Sequence, residues 1–307
     1  MEAPTNKKRR IVTLGNAFLD TIVYLPQLPT QPCKTRAMDV RYTGGGIAAT
    51  AAYTAALLGA DAVYWGRLGN DETGDQILAR LAEAGVKTDA VRRVDGGVSP
   101  IGTILVSPGG ERMAFGFIGR GLGVEADWLP LHDLDGADGV LADYSWWEGA
   151  AAIFAAARAR NIVTVLDADV GDMAAVHKLL KLPDHIVFSA ACLERLTGEA
   201  DVEKGLRGAA LICRGTVSVT AGNRGFFWLD GEVVRNVPAF PVEAIDTNGA
   251  GDIFHGAFTL GLAEGLRIEG AARLASATAA LKCARGSGWE SIPNRKVVEE
   301  LLKETLV

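Results

Sequence analysis

The chain has 307 residues, of which 49% are hydrophobic and 22% charged, and its formal net charge is −6 at pH 7. This composition is typical of a globular protein with a sizeable core, and it excludes an intrinsically disordered chain. The negative charge argues against a nucleic-acid partner, because binding to phosphates requires clustered Lys and Arg. The apolar runs are short, so we predict neither a signal peptide nor a membrane span.

The cysteines and histidines show no metal-ligand spacing and no C-x-x-C pair. We therefore expect a cytoplasmic protein with reduced cysteines and no structural zinc. Residues 1–10 contain the basic run KKRR and are predicted to form a flexible N-terminal tail. Residues 11–307 are predicted to form one domain.

Predicted strands and helices alternate along most of this domain. Apolar segments predict buried strands at 11–15, 62–68, 139–143, 162–167 and 185–189. This alternation indicates a mostly parallel sheet that is covered by helices on both faces. Ligands of such sheets bind at the carboxyl ends of the strands. We place Asp20, Asp143, Asp167 and Asp169 at such ends.

Two pairs of short predicted strands interrupt this alternation, at 21–25 with 36–42 and at 101–107 with 112–118. They predict a separate small sheet, formed by about residues 20–43 and 99–118, that would act as a lid over a site. Its apolar side chains include Ile22, Tyr24, Phe115 and Phe117, which we expect to be exposed. One face of the lid would then contact a second copy of the chain and form a homodimer.

A run of glycines at 44–46 precedes an Ala-rich helical segment that extends to about residue 60. Glycines allow a ligand to approach the backbone closely, although close packing of the helix explains most of the alanines. The sequence therefore predicts a ligand contact at the start of this helix.

A second glycine-containing turn lies in the segment AIDTNGAGDIFHGAFTLGLAEG, residues 244–265. Gly249, Ala250 and Gly251 fall where a loop becomes a helix, so their backbone N–H groups are available to an anion and the helix dipole favours it. Asp252 adds a carboxylate beside this anion site. Such an Asp commonly complements a helix dipole, but a general base facing a phosphoryl group explains the whole pattern.

The string DTNGAGD resembles the second signature of the PfkB, or ribokinase-like, carbohydrate kinases, D-T-x-G-A-G-D, and matches every specified position. The resemblance extends from about residue 11 to residue 293. It implies a three-layer α/β sandwich with a mostly parallel central sheet and a small β lid. It also implies transfer of the γ-phosphate of ATP to a sugar hydroxyl with the help of Mg²⁺, with Asp252 as general base. The anion hole would consist of Asn248, Gly249, Ala250 and Gly251.

Other family motifs imply further site residues. The first signature, G-G-x-x-x-N-x-A, has Thr50 where the family has an Asn that contacts substrate hydroxyls. The implied substrate-binding residues are Asp20, Gly44, Gly45, Gly46 and Thr50. The implied nucleotide-binding residues are Ser189, Thr220, Gly222, Gly225 and Gly286, of which Ser189 replaces an Asn in a magnesium motif whose Glu is replaced by Cys192. Asp246 and Ser291 match positions that enclose a monovalent cation, for which K⁺ is the candidate.

Within the family, the strings GGGIAATAA, GAGDIFHGA and AALKC are most similar to those of 6-deoxy-6-sulfofructose kinases. Lys34 matches a lysine of that group that is associated with the sulfonate. However, Ser145 stands where an Arg is expected, and Gly116 stands where an Asn is expected. We therefore predict a neutral or weakly anionic sugar as substrate. Two alternatives are a nucleoside kinase of the same fold and a catalytically idle sugar-binding regulator.

Overall fold

The computed structural model describes residues 8–109 and 111–305. Residues 1–7 of the predicted tail and Gly110 of the predicted lid turn lie outside the described residues. The first strand begins at Arg10, within the segment that was predicted to be tail.

The described residues contain a nine-stranded sheet, a four-stranded sheet and nine α-helices. The strands are β1 (Arg10–Leu14), β2 (Phe18–Tyr24), β3 (Asp39–Gly45), β4 (Asp61–Gly69), β5 (Val91–Val94), β6 (Ile101–Val106), β7 (Arg112–Phe117), β8 (Gly139–Asp143), β9 (Val163–Ala168), β10 (His185–Ser189), β11 (Thr216–Thr220), β12 (Phe226–Asp230) and β13 (Val233–Val237). The helices are α1 (Ile47–Leu57), α2 (Glu72–Glu83), α3 (Trp147–Arg158), α4 (Met173–Leu179), α5 (Ala190–Thr197), α6 (Val202–Ala210), α7 (Ala250–Ala263), α8 (Ile268–Arg285) and α9 (Arg295–Glu304).

The large sheet has the strand order β13-β12-β11-β10-β9-β8-β1-β4-β5. From β5 to β11 all neighbouring strands are parallel, and only β12 runs in the opposite direction, antiparallel to both β11 and β13. Alternate residues of each central strand enter different cores, as Ile11 and Val12 of β1 illustrate. One core is covered by α1, α2, α7, α8 and α9, and the other by α3, α4, α5 and α6. The predicted three-layer α/β sandwich is therefore confirmed.

The small sheet has the order β3-β2-β6-β7, so the two distant segments that were predicted to form a lid do pair with each other. Strands β6 and β7 agree closely with the prediction. Strands β2 and β3 begin and end at other residues, because Phe18 pairs with Gly45 and Leu19 with Gly44. Most of the glycine run therefore belongs to a strand, and Gly46 alone is the cap of α1.

One face of the small sheet is apolar and exposed, with Phe115 of β7 58% exposed and Tyr42 of β3 56% exposed. Two predictions for this surface were wrong. Ile22 points to the opposite face and is only 1% exposed. Tyr24 is half-buried, and its hydroxyl donates a hydrogen bond of 2.7 Å to Ser287 Oγ, which ties the sheet to the loop after α8.

Candidate active site

Helix α7 begins at the glycine-containing turn that dominated the sequence pattern. Gly249 is its N-cap residue with φ 70°, a left-handed conformation that favours glycine. The turn before it is held by a hydrogen bond of 2.7 Å from Asn248 N to Asp246 Oδ1. Around Gly251 there is open space, because a Cβ built there would have no neighbour within 4 Å. The start of α7 is therefore an accessible helix N-terminus suited to an anion.

Two cavities meet at this helix N-terminus. The smaller has a volume of about 120 Å³ and is lined by Asp20, Thr43, Gly44, Gly45, Gly46, Thr50, Asn248, Gly249, Asp252, Ile253, Lys282, Gly288 and Trp289. The larger has a volume of about 530 Å³ and is lined by Thr220, Gly222, Asn223, Gly225, Ala239, Phe240, Pro241, Val242, Ala244, Thr247, Ala250, Gly251, Phe254, Ser276, Ala279, Ala280 and Cys283. The four residues of the predicted anion hole are thus divided between the two cavities.

Asp252 lies in the first turn of α7 and lines the smaller cavity. Its removal from solvent raises its pKa well above the usual range of a carboxyl, and the negative charges of Asp167, Asp169, Asp143 and Asp20 raise it further. These four carboxylates are therefore close enough to Asp252 to influence its pKa. A carboxylate with a raised pKa accepts a proton more readily, as a general base must.

Asp20 is held in the wall of the smaller cavity by two glycines. A Cβ on Gly45 or on Gly102 would lie 2.1 Å from a carboxylate oxygen of Asp20, so a side chain at either position would displace this carboxylate. Desolvation by burial raises the pKa of Asp20 to about 6. Contrary to the prediction, Asp20 lies within β2 rather than at the end of a strand of the large sheet.

Trp289 forms another wall of the smaller cavity and packs against Gly44. Its ring would lie 2.2 Å from a Cβ on Gly44, and its indole N–H donates a hydrogen bond of 3.0 Å to Thr50 Oγ1. A Cβ on Gly46 would lie 2.6 Å from the backbone oxygen of Asn16. Contacts within the chain therefore favour glycine at 44 and 46, and all three glycines at 44–46 line the cavity.

The larger cavity contains three of the five predicted nucleotide-binding residues, Thr220, Gly222 and Gly225. The other two lie elsewhere. Ser189 accepts a hydrogen bond from Cys192 N and caps α5, and Gly286 ends α8. The walls of the larger cavity are mostly apolar, and its volume lies within the usual range for small-molecule sites.

Lys34 and Ser145 line neither cavity. Lys34 is exposed in the loop between β2 and β3. Ser145 follows β8, and its hydroxyl and its backbone N–H both donate to Asp143 Oδ1. The structure therefore brings neither residue to the site, because the first lies on an outer loop and the second is engaged by a neighbouring carboxylate.

A family profile described as pfkB family carbohydrate kinase matches residues 8–295 of the chain. The chain belongs to this family. A ribokinase from Bacillus subtilis is 28% identical over 304 residues, which are 96% of this chain and 99% of the relative. The crystal structure of a putative ribokinase from Agrobacterium tumefaciens has a TM-score of 0.93 at 34% identity and covers 97% of this chain and 99% of its own. Arabidopsis thaliana ribokinase complexed with ribose and ATP has a TM-score of 0.82 at 25% identity and covers 96% and 99%.

Membership of the PfkB family makes this protein a phosphotransferase with an alcohol group as acceptor, as the sequence predicted. ATP is present in the complex of the Arabidopsis relative. Likeness to the sulfofructose kinases stays a prediction. No helix among the described residues is long and apolar enough to cross a membrane.

Mg²⁺ is the metal ion that the sequence analysis expects beside the nucleotide. Within residues 8–109 and 111–305, no group of three or more His, Cys, Asp or Glu side chains could hold a metal. Mg²⁺ is commonly bound through one or two carboxylates, waters and the substrate's own phosphates, so the carboxylates around Asp252 fit this requirement. Cys192 is fully buried, and its burial raises the pKa of the thiol to about 12, so it is a poor replacement for the family's Glu.

The predicted monovalent cation position has a different occupant in this PfkB chain. Ser291 Oγ donates a hydrogen bond of 2.9 Å to Ser287 O. Lys282 reaches Asp246 instead, with Nζ 3.7 Å from Asp246 Oδ2. Burial lowers the pKa of Lys282, and the charge of Asp246 opposes this effect. The side chains around Asp246 therefore do not fit a free cation as the family motif implied.

Lys282, Thr43, Gly102, Gly288 and Trp289 are site residues that the sequence analysis did not predict. Thr43 and Gly288 line the smaller cavity, and Thr43 Oγ1 accepts a hydrogen bond of 2.9 Å from Trp289 N. The only signal in the sequence was the glycine-rich segment 286–288 after α8, which adjoins Trp289.

Proposed function

We propose that this protein transfers the γ-phosphate of ATP to a hydroxyl group of a monosaccharide, with Asp252 as the general base. The observation that carries the proposal is the position of the α7 N-terminus between two cavities of different character. Asp252 and Gly249 line the smaller cavity, whereas Ala250 and Gly251 line the larger one. A phosphoryl group moving between the cavities would pass these backbone amides.

The two cavities suit the two substrates of such a reaction. The larger, with apolar walls from Phe240, Phe254 and Ala280, suits a nucleotide whose base needs apolar surface. The smaller is bounded by carboxylates, hydroxyls and Trp289, which suit a polyhydroxylated molecule. Asp20 would accept hydrogen bonds from hydroxyl groups of the sugar, and Thr50 would contribute its remaining hydrogen-bonding capacity.

The residues of the helix N-terminus would perform the chemistry by positioning and by charge stabilisation. The amides of Asn248, Gly249, Ala250 and Gly251 would stabilise the charge that develops on the transferred phosphoryl group. Asp252 would accept the proton of the attacking hydroxyl. Its raised pKa matches this role, because a carboxylate of higher pKa is the stronger base.

Magnesium would be held by the phosphates together with Asp169, which lies next to β9 and influences the pKa of Asp252. The ion would neutralise charge on the phosphates and would reduce the mutual repulsion of the surrounding carboxylates.

We propose a neutral or weakly anionic ketose or related polyol as the acceptor. Lys34 is exposed and Ser145 is engaged by Asp143, so neither offers a cationic partner for a sulfonate in the smaller cavity. The volume of about 120 Å³ favours a monosaccharide over a nucleoside, because sites for larger ligands usually exceed ~300 Å³. The presence of Asp252 at the open helix N-terminus disfavours an idle sugar-binding regulator. The lid-mediated homodimer and the cytoplasmic location stay predictions.

A coupled assay of ADP formation over a panel of acceptors tests this function. The panel contains ribose, fructose, tagatose, fructose phosphates, sulfofructose, adenosine and inosine. We expect a higher kcat/KM with a neutral sugar than with sulfofructose or the fructose phosphates. A higher kcat/KM for adenosine or inosine would replace the proposal with a nucleoside kinase, and binding of sugars without turnover would indicate a regulator.

A further inference from the structure

Lys282 is a buried cation attached to the turn that precedes α7. Lys282 lies on the Ala-rich helix α8 and is only 1% exposed. Its Nζ donates hydrogen bonds of 3.2 Å to Asp246 O and 2.5 Å to Asn248 O. Asp246 Oδ2 lies 3.7 Å from Nζ, so three oxygen atoms surround the ammonium group.

The three oxygen atoms around Nζ all come from one loop, and together they resemble the coordination shell of a cation. Backbone carbonyls of alternate residues and a nearby carboxylate are oxygen ligands of the kind that hard cations prefer. A buried ammonium is unfavourable unless such partners surround it, so an apolar side chain on α8 would be the simpler solution if packing were its only task. The positive charge of Lys282 is therefore explained by the oxygen atoms of the turn that surround it.

The contact with Asn248 O also determines the direction of an amide in the anion hole. The peptide bond between Asn248 and Gly249 is planar and trans, so its C=O and N–H point in opposite directions. When Lys282 attracts the carbonyl of Asn248, the N–H of Gly249 is turned away from Lys282. Cys283 O holds the same loop from the adjacent residue of α8, by accepting hydrogen bonds from Ile245 N and Asp246 N.

We propose that the ammonium of Lys282 serves as a tethered cation that orients the anion hole in place of a diffusible monovalent cation. Lys282 is then a positioning residue, and it acts on the reaction through the backbone of residues 246–249. The proposal rests on the assignment of that turn as the anion hole. Its direct consequence is that the wild-type protein requires no K⁺.

The first experiment uses the wild-type protein and needs no variant. Thermal unfolding of the ligand-free protein, calorimetric binding of MgADP and the kinase reaction are each measured in potassium, sodium and tetramethylammonium chloride at equal ionic strength. We expect the same unfolding temperature, the same Kd for MgADP and the same kcat in all three salts. A K⁺-specific gain of ~5-fold or more in binding or in kcat, the low end of typical coupling between sites, would overturn the proposal.

The second experiment removes the ammonium group of Lys282. Lys282→Ala removes the ammonium and most of the stem, whereas Lys282→Met keeps a stem of similar length without the charge. In tetramethylammonium chloride we expect both variants to lose kcat by ~10²-fold, as for a misplacement of about 1 Å in an active site, with a much smaller change in KM for the sugar. K⁺ or methylammonium should restore kcat in Lys282→Ala, where there is space, but not in Lys282→Met. Lys181→Met, which changes an exposed lysine, is the matched control.

The outcomes distinguish this proposal from the proposed function. In Lys282→Ala, K⁺ should raise the unfolding temperature and tighten MgADP binding by mass action, whether or not the correct sugar is known. A rise in the sugar KM with unchanged kcat would show that Lys282 contacts the substrate instead and would overturn its positioning role. Wild-type kcat in Lys282→Met would also overturn it. If a variant does not fold, the wild-type salt comparison still decides the question.

Discussion

The carboxylate of Asp20 is predicted to destabilise the ligand-free protein, and Asp20→Asn tests this. The side chain is half-buried beside Gly45 and Gly102, and burial raises its pKa from 3.8 to about 6. This rise of about two pKa units, at about 1.4 kcal/mol each, corresponds to an upper limit of about 3 kcal/mol. Water in the cavity will reduce the effect, so we expect the neutral variant to be more stable by ~1–3 kcal/mol at pH 8.

The sign of the pH dependence follows from the protons that each state binds. Below about pH 4 both the folded and the unfolded protein hold the proton of Asp20, and the variant should have no advantage. As the pH rises from about 4 to about 6, the unfolded chain loses this proton first, so the free energy of unfolding of the wild type falls relative to the variant. Above this range the difference is complete and constant.

Urea unfolding of both proteins from pH 4 to pH 8, without ligands, measures this difference. Asp127→Asn, at an exposed aspartate, controls for the general effect of removing one negative charge. We expect Asp20→Asn to gain stability only above pH 4 and to lose affinity for the sugar, because its amide replaces a hydroxyl-binding carboxylate. Equal stabilities of variant and wild type throughout the pH range would refute the burial of an ionised Asp20.

Three further predictions concern the substrate, the lid and the larger cavity. The ratio of kcat/KM for fructose to that for sulfofructose should exceed one, and a clear preference for sulfofructose would show that other residues form a sulfonate pocket. The exposed face of the small sheet should form a homodimer, so light scattering should report a dimer for the wild type and a monomer for Phe115→Glu, whereas a wild-type monomer at high concentration would contradict it. Gly225→Ala should strongly weaken binding of MgADP by calorimetry, because a Cβ there would lie 2.1 Å from Val237 O; unchanged affinity would mean that this turn is not a wall of the nucleotide site.

The fold was largely predictable because its signals are local. Continuous apolar segments predicted the central strands, with β8 and β10 recovered at the same residues. Asn294 caps the last helix by accepting a hydrogen bond from Val297 N, and Asn is a residue type that favours this position. The start of α7 was also predictable, because Gly249 and Asp252 lie within one short segment of the sequence and their spacing is typical of a helix N-terminus.

The remaining features of the site depend on contacts between distant parts of the chain. Trp289 and Thr50 are 239 residues apart, and nothing local to either residue predicts their hydrogen bond. Lys282 lies 34 residues beyond Asn248 in an Ala-rich helix, where an exposed lysine would be the ordinary interpretation. Lys34 lies on an exposed loop outside both cavities, and its position in a motif does not reveal where a long loop places it.

The central claim is that Asp252 is the base beside an anion hole at the start of α7, and Asp252→Asn tests it most directly. The decisive measurement is kcat at saturating ATP and sugar, with calorimetric binding of MgADP as the check that the fold and the larger cavity are intact. We expect MgADP to bind with little change while kcat falls by ~10²–10⁴-fold, the usual effect of removing a general base. A variant that binds MgADP and retains the wild-type kcat would contradict the account.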